Sequence, residues 1–250
     1  MATKERIKLW LAEMRAPFLI LAVLLVAIGL AFGWKYHPPG TTFNPLYAVL
    51  LLIGVVSSHI SVNLFNEYSD NKTKIDHNTP RTPFSGGSGV LSSGMLSSGS
   101  VFKAAVITLF LALAIGIYFA ITVHWIIFIL AGLGSFSILF YTTFLARIQL
   151  GELFAGLTLG TFVVLGSYVV MTANPSMSVS ELFPTDVILM SIPPGILTSL
   201  LLLINEFPDM EADKQGGRNH LVISLGKKKA AYVYVSGIVA TFGVIIGAAL

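Results

Sequence analysis

The chain has 250 residues, 55% of them hydrophobic and only 11% charged, and its mean hydropathy is +0.83. A soluble domain carries roughly 25% charged residues, so this composition excludes an ordinary soluble protein and describes one that lies in a lipid bilayer. There is no cysteine, which excludes disulfides, thiolate metal sites and cysteine nucleophiles; the net charge of +3 follows from loop topology and calls for no nucleic acid.

Residues 3–15 set Lys4, Arg6, Lys8 and Arg15 among Ile7, Leu9, Trp10, Leu11 and Met14. That mixture reads as a short amphipathic helix on the membrane surface. Apolar segments follow at about 17–34, 46–66, 102–121, 124–142, 151–172, 186–205 and 230–250. Each is close to the ~20 residues that carry a helix across ~30 Å of hydrocarbon. Length and lack of alternation predict helices rather than strands, so seven spans are expected. The last segment is apolar to Leu250, which reads as one domain, 1–250, cut short at its C-terminus.

Lys and Arg fix the orientation. Fourteen of the 15 lie before the first segment, between the second and third or at the very start of the third (Lys103), or between the fourth and fifth or the sixth and seventh; only Lys35 falls on the other side. The crowded face is expected to be cytoplasmic, in an inner membrane. Trp34, Tyr36 and Trp125 fall near the opposite interface, as an aromatic belt does.

The acidic residues are concentrated too. Of 12, seven (Glu67, Asp70, Asp76, Glu206, Asp209, Glu211 and Asp213) lie in two short stretches that each follow an apolar segment. Both stretches fall on the Lys/Arg-rich face. Asn66 and Asp70 are four apart and share a helix face, which extends back through Asn63 to His59. Asn205, Asp209 and Asp213 repeat that spacing. Carboxylates at a membrane face are costly unless a cation is held there. Carboxylate and amide oxygens suit Mg²⁺, which commonly bridges to phosphate oxygens. Lys72, Lys74, Arg81, Lys214 and Arg218 are near enough in sequence to meet a phosphate. A metal-held diphosphate with an apolar slot behind it describes an isoprenyl diphosphate site.

The stretches NEYSDNKTKID, followed by RTP, and NEFPDMEADKQGGRNHLVISLG resemble the two aspartate-rich motifs of the UbiA superfamily of intramembrane prenyltransferases. The likeness extends to Arg15-Ala-Pro and to Tyr141, Arg147 and Gly151-Glu152-Leu153. Its spacing looks most like the 1,4-dihydroxy-2-naphthoate branch. The resemblance implies an all-α transmembrane bundle around a central cavity, usually of nine spans, two more than the seven read here. It implies Mg²⁺ on Asn66, Asp70, Asp76, Asn205, Asp209 and Asp213, with Asp70, Asp209 and Tyr141 in catalytic roles. Arg15, Lys72, Arg81, Arg147 and Lys214 are its diphosphate partners. The substrates it implies are an allylic prenyl diphosphate and a small aromatic acceptor.

Other readings stay open. The acceptor can be 4-hydroxybenzoate, a glycerol phosphate ether lipid or a tetrapyrrole. The chain can be a cation transporter or an inactive fragment. Arg147 and Glu152 also read as membrane-interface markers, and His59 as a hydrogen-bonded helix contact. His77 and His220 flank the motifs and read either as substrate contacts or, more usually for loop histidines, as bystanders. The Gly/Ser-rich stretch from Phe84 to Ser100 reads as a flexible linker, or as a mobile lid whose N–H groups cradle an anion.

Overall fold

The computed structural model describes residues 3–37, 43–75 and 86–250, and every regular element among them is a helix. They are α1 (Thr3–Glu13), a 3₁₀ turn (Ala16–Leu19), α2 (Ile20–Lys35), α3 (Pro45–Thr73), α4 (Ser98–Thr122) and α5 (Ile126–Phe140). After them come α6 (Gly151–Thr172), the short α7 (Val179–Leu182), α8 (Thr185–Gln215), the short α9 (Leu221–Leu225) and α10 (Lys227–Ala249).

Six helices are long and apolar enough to cross a membrane. The seventh expected span, α5, has only 15 residues, or about 22 Å at 1.5 Å per residue, short of the ~30 Å hydrocarbon. The expectation of seven full spans is corrected to six and one shorter apolar helix. The two helices that carry the acidic stretches are the longest, at 29 and 31 residues. Each exceeds 40 Å, so its polar last turns stand clear of the hydrocarbon.

Local chemistry sets the helix ends. Asn44 Oδ1 accepts from the N–H groups of Leu46 and Tyr47, and Pro45 supplies the fixed φ of a first turn. Ser97 caps α4 by accepting from Ser100 N. The helices then pair by close approach: α3 with α4, α2 with the second half of α6, and α8 with both α6 and α10. At the α6–α8 crossing a Cβ on Gly160 would lie 2.6 Å from Gly195 Cα and 2.9 Å from Pro194 O. Only glycine allows that contact, as small residues do at many membrane helix crossings. Beside it, residues Ala155–Thr161 of α6 wind as a π-helix, a local widening that is frequent at functional sites.

The expected surface helix forms but docks. Trp10 and Met14 pack on a cluster built from Leu64, Leu91, Val101 and Ala105, while Ile7 and Leu11 remain exposed. The Gly/Ser-rich stretch is also tied down where it is described. Val90 and Leu91 are buried in that region, and Gly86, Gly87, Gly89 and Gly94 take positive φ to make the turns.

Candidate active site

The Lys/Arg-rich ends of α3 and α8 converge with the segment after α5 and the loop after α8. They enclose two joined spaces. One is an apolar slot of about 320 Å³ that runs beside α3 from Leu51 to Asn66, a rise of roughly 22 Å. The other is a polar chamber of about 80 Å³ lined by Asp70, Asp209, Asp213 and Arg218. Arg15, Asn66, Tyr141, Leu202 and Asn205 line both and form the boundary between them.

Arg218 organises the chamber. Gly217, at φ 81°, turns the chain back after α8. The Arg218 backbone N–H then bonds Asp213 O. Its Nη1 donates to Asp213 Oδ1 at 2.8 Å, and its Nη2 donates to Asn66 Oδ1 at 3.1 Å and to Asp70 Oδ1. One guanidinium thus joins the two acidic stretches across 148 residues of sequence. Burial opposes its charge, but Asp70 and Asp213 together hold its pKa above the ordinary arginine value.

The remaining oxygens are held in part. Asp70 Oδ2 accepts from Asn66 Nδ2 at 3.0 Å. Asn66 Oδ1 also accepts from Thr142 Oγ1 at 3.1 Å. Asp213 Oδ2 lies 3.2 Å from His220 Nε2. Asp209 Oδ1 is buried with no hydrogen-bond partner among the described residues, and the Gly86 N–H points at the Asp209 carboxylate.

Arg15 takes left-handed backbone angles, φ 52°, between α1 and the 3₁₀ turn. Its Nε donates to Glu67 Oε1 at 2.7 Å. Glu67 also accepts Ser88 N on both oxygens, at 3.0 Å each. Ser88 Oγ in turn donates to Glu13 Oε2 at 2.6 Å. The loop entering at Gly86 is therefore latched to α1 and α3 through two buried glutamates.

Burial, and then the nearby Glu67 charge, pushes the Glu13 carboxyl up to about 7. The folded protein binds this proton more tightly than the unfolded chain does. The group's contribution to stability is complete below an unfolded value near 4.5 and is lost as pH rises through about 7. Glu13→Gln should remove that dependence. Melting temperatures of the two proteins between pH 5 and 8 check it. The variant should gain on the wild type as pH rises, and a constant difference would contradict the assignment.

The UbiA prenyltransferase family profile matches residues 23–250. The chain belongs to that family. It is 31% identical over 209 residues to the 1,4-dihydroxy-2-naphthoate octaprenyltransferase of Bacillus subtilis, covering 78% of this chain and 63% of that one. The enzyme of the same name from Haemophilus influenzae is 28% identical over 232 residues, covering 90% and 71%. Among solved structures, a UbiA homologue from Archaeoglobus fulgidus bound to GPP and Mg²⁺ superposes with a TM-score of 0.62 at 13% identity. That match covers 96% of this chain and 77% of the other, and shows the shared fold. Family and apolar helices together make this an integral membrane protein.

Of the UbiA-type residues expected from the sequence, the fold gathers Arg15, Asn66, Asp70, Tyr141, Asn205, Asp209 and Asp213 at the chamber. It places Lys72, Arg147 and Lys214 on exposed surface outside the chamber lining. The Lys72 ammonium sits over the Tyr68 ring at 4.5 Å. Asp76, Arg81 and His77 lie outside the described residues. Arg218 was legible as a nearby basic residue but not as the joint between the motifs. Glu67, Glu152, Glu206 and His220 are buried participants that helical spacing did not single out. The one signal for Glu152 is a carboxylate beside Gly151 at the mouth of an apolar segment.

Proposed function

We propose that the protein catalyses Mg²⁺-dependent transfer of an isoprenoid chain from an allylic prenyl diphosphate to a small aromatic acceptor. The acceptor we infer is 1,4-dihydroxy-2-naphthoate, in lipid-quinone biosynthesis. The observation that carries this reading is the junction of an acidic chamber and an apolar slot at Arg15, Asn66, Tyr141, Leu202 and Asn205. The curated relatives named for this reaction support the choice of acceptor.

The donor set suits the metal. Asp70, Asp209, Asp213, Asn66 and Asn205 offer hard oxygen atoms around one space, and Asp209 Oδ1 is buried without a hydrogen-bond partner among the described residues. Asp76 belongs with this set. Bound there, Mg²⁺ supplies charge neutralisation to a diphosphate leaving group.

The chain's own residues do the rest. Arg15, at the boundary, directs its guanidinium toward the diphosphate; Arg81 and the outer cations Lys72, Arg147 and Lys214 attract it from solvent. The slot orders several isoprene units along α3 and excludes water from the reacting carbon. The allylic C–O bond breaks and diphosphate departs. The ring face of Tyr141 stabilises the positive carbon. An electron-rich ring carbon of the acceptor then forms the new C–C bond, and the ring loses a proton or its carboxyl group. The bundle is oriented with this chamber toward the cytoplasm.

Transport of a cation is disfavoured, because the acidic residues of α3 and α8 converge at one end of the bundle rather than tracing a path across it. The test is direct. Membranes containing the full chain, supplied with octaprenyl or geranylgeranyl diphosphate, Mg²⁺ and 1,4-dihydroxy-2-naphthoate, should yield a prenylated naphthoquinone by mass spectrometry. Product with 4-hydroxybenzoate alone would overturn the acceptor; no product from any aromatic acceptor would overturn the reaction.

A further inference from the structure

The apolar slot has a depth that three helices measure alike. From the chamber boundary to the far end it is lined on α3 from Asn66 to Leu51, along α5 from Tyr141 to Ile127, and on α6 from Ala155 to Val170. At 1.5 Å per residue each lining covers roughly 21–22 Å.

The far end is closed by packing. Leu51, Phe119, Ile127 and Val170 line the slot and also belong to a buried hydrophobic cluster. That cluster continues with Ala120, Val123, Met171 and Leu182, which do not line the slot. Phe119 is 1% exposed, and its ring stands edge-on against Tyr47 with centroids 5.3 Å apart. Such a ring is held by close packing and cannot swing aside without opening a void.

Halfway along, α5 leaves a gap. Ile127, Ala131, Gly134, Ile138 and Tyr141 recur at helical spacing and all line the slot. Gly134 is seven residues from each end of that stripe, and a Cβ placed on it would meet no atom within 4 Å. Its φ is not positive, so the backbone does not call for glycine there. What its missing side chain does is keep the slot continuous from boundary to floor.

An extended polyprenyl chain advances about 5 Å per isoprene unit, four zigzag C–C bonds of ~1.5 Å each. Four units therefore reach from the boundary to Phe119, whereas eight need roughly 40 Å. We propose that the slot measures the prenyl donor and selects a chain of four isoprene units, with Phe119 as the floor and Gly134 as the gap that lets the third and fourth units pass. The proposal rests on the prenyl-transfer reading of the same slot and adds to it the length of the donor.

Binding of ionisation-resistant thiodiphosphates to the purified chain, with Mg²⁺ and no acceptor, tests it. The probes carry two, four and five isoprene units. Partition of each probe into detergent is common to all variants and cancels when they are compared. Gly134→Leu places a side chain across the middle of the slot and replaces glycine by a better helix former. It should lower the affinity for the four-unit probe relative to the two-unit probe by about tenfold or more. Phe119→Ala removes a ring larger than one isoprene unit from the floor. It should raise the affinity for the five-unit probe relative to the four-unit probe by a similar factor. Gly134→Leu decides the matter alone if Phe119→Ala fails to fold. Unchanged ratios in Gly134→Leu, with binding otherwise intact, overturn the length selection and leave the transferase reading standing. No Mg²⁺-dependent binding of any probe to the well-folded wild type overturns both.

Discussion

Asp209→Asn is expected to leave the fold intact while abolishing Mg²⁺-dependent binding of a non-ionising prenyl thiodiphosphate. Turnover should fall on the order of 10²–10³-fold, the size found when one group that stabilises developing charge is removed. Asp209 tests the metal site more cleanly than Asp70 does. Asp70 and Asp213 both pair with Arg218, so changing either would disturb a buried ion network as well as the metal site. Asp209 is half-buried, makes no side-chain pair with Arg218 among the contacts described, and has an oxygen without a hydrogen-bond partner among the described residues. The isosteric amide keeps the acceptor that faces Gly86 and removes the negative charge. Binding to well-folded protein would be followed with Mg²⁺ and then with chelator. Wild-type, Mg²⁺-dependent affinity in the variant would remove Asp209 from the metal site and leave the two-stretch chamber without its central support.

Arg218→Met should produce the largest loss of stability of any single change near the site. Its side chain is 12% exposed and faces Asp70 and Asp213, which are 4% and 2% exposed. Removing one partner of a buried ion network leaves the other charges unpaired and costs about 3–5 kcal/mol. For a chain of this length that lowers the melting temperature by roughly 6–20 °C. Thermal unfolding in detergent measures it. Arg218→Met combined with Asp213→Asn should recover part of the loss, because one of the stranded charges is removed with its partner. A single variant as stable as the wild type, or a double variant that merely adds the two losses, would show that Arg218 is not the counter-ion of these carboxylates.

Arg218 also marks the limit of what spacing could reveal. The sequence placed it among several basic residues near a phosphate, and its chemistry as a cation was correct. That it reaches back 148 residues to Asp70 depends on the turn at Gly217 and on the ends of α3 and α8 meeting at one chamber. The stripe Asn66–Asp70 and the stripe Asn205–Asp209–Asp213 were legible because four-residue spacing is a property of a single helix. The latch from Glu13 through Ser88 to Glu67 spans 75 residues and left no local pattern at all. The Gly/Ser-rich stretch read as flexible for the same reason. Its composition is that of a linker, while the burial of Val90 and Leu91 and the grip on Ser88 come from neighbours distant in the chain.

By itself the sequence determined that this is a helical membrane protein with two acidic stretches at one end and an apolar interior behind them. Hydropathy, segment length and helical periodicity act within about 20 residues, so they survive without knowledge of contacts. The tertiary structure alone decided that the acidic stretches meet around one arginine, that α5 falls short of a full span, that α6 widens into a π-helix beside the slot, and that Glu152, Glu206 and His220 converge. These depend on which helix faces approach across long separations. The membrane-spanning helices expose many large hydrophobic side chains, such as Leu24, Ile107, Phe110 and Val239, as well as burying others, so hydrophobic pattern cannot tell one face of such a helix from another.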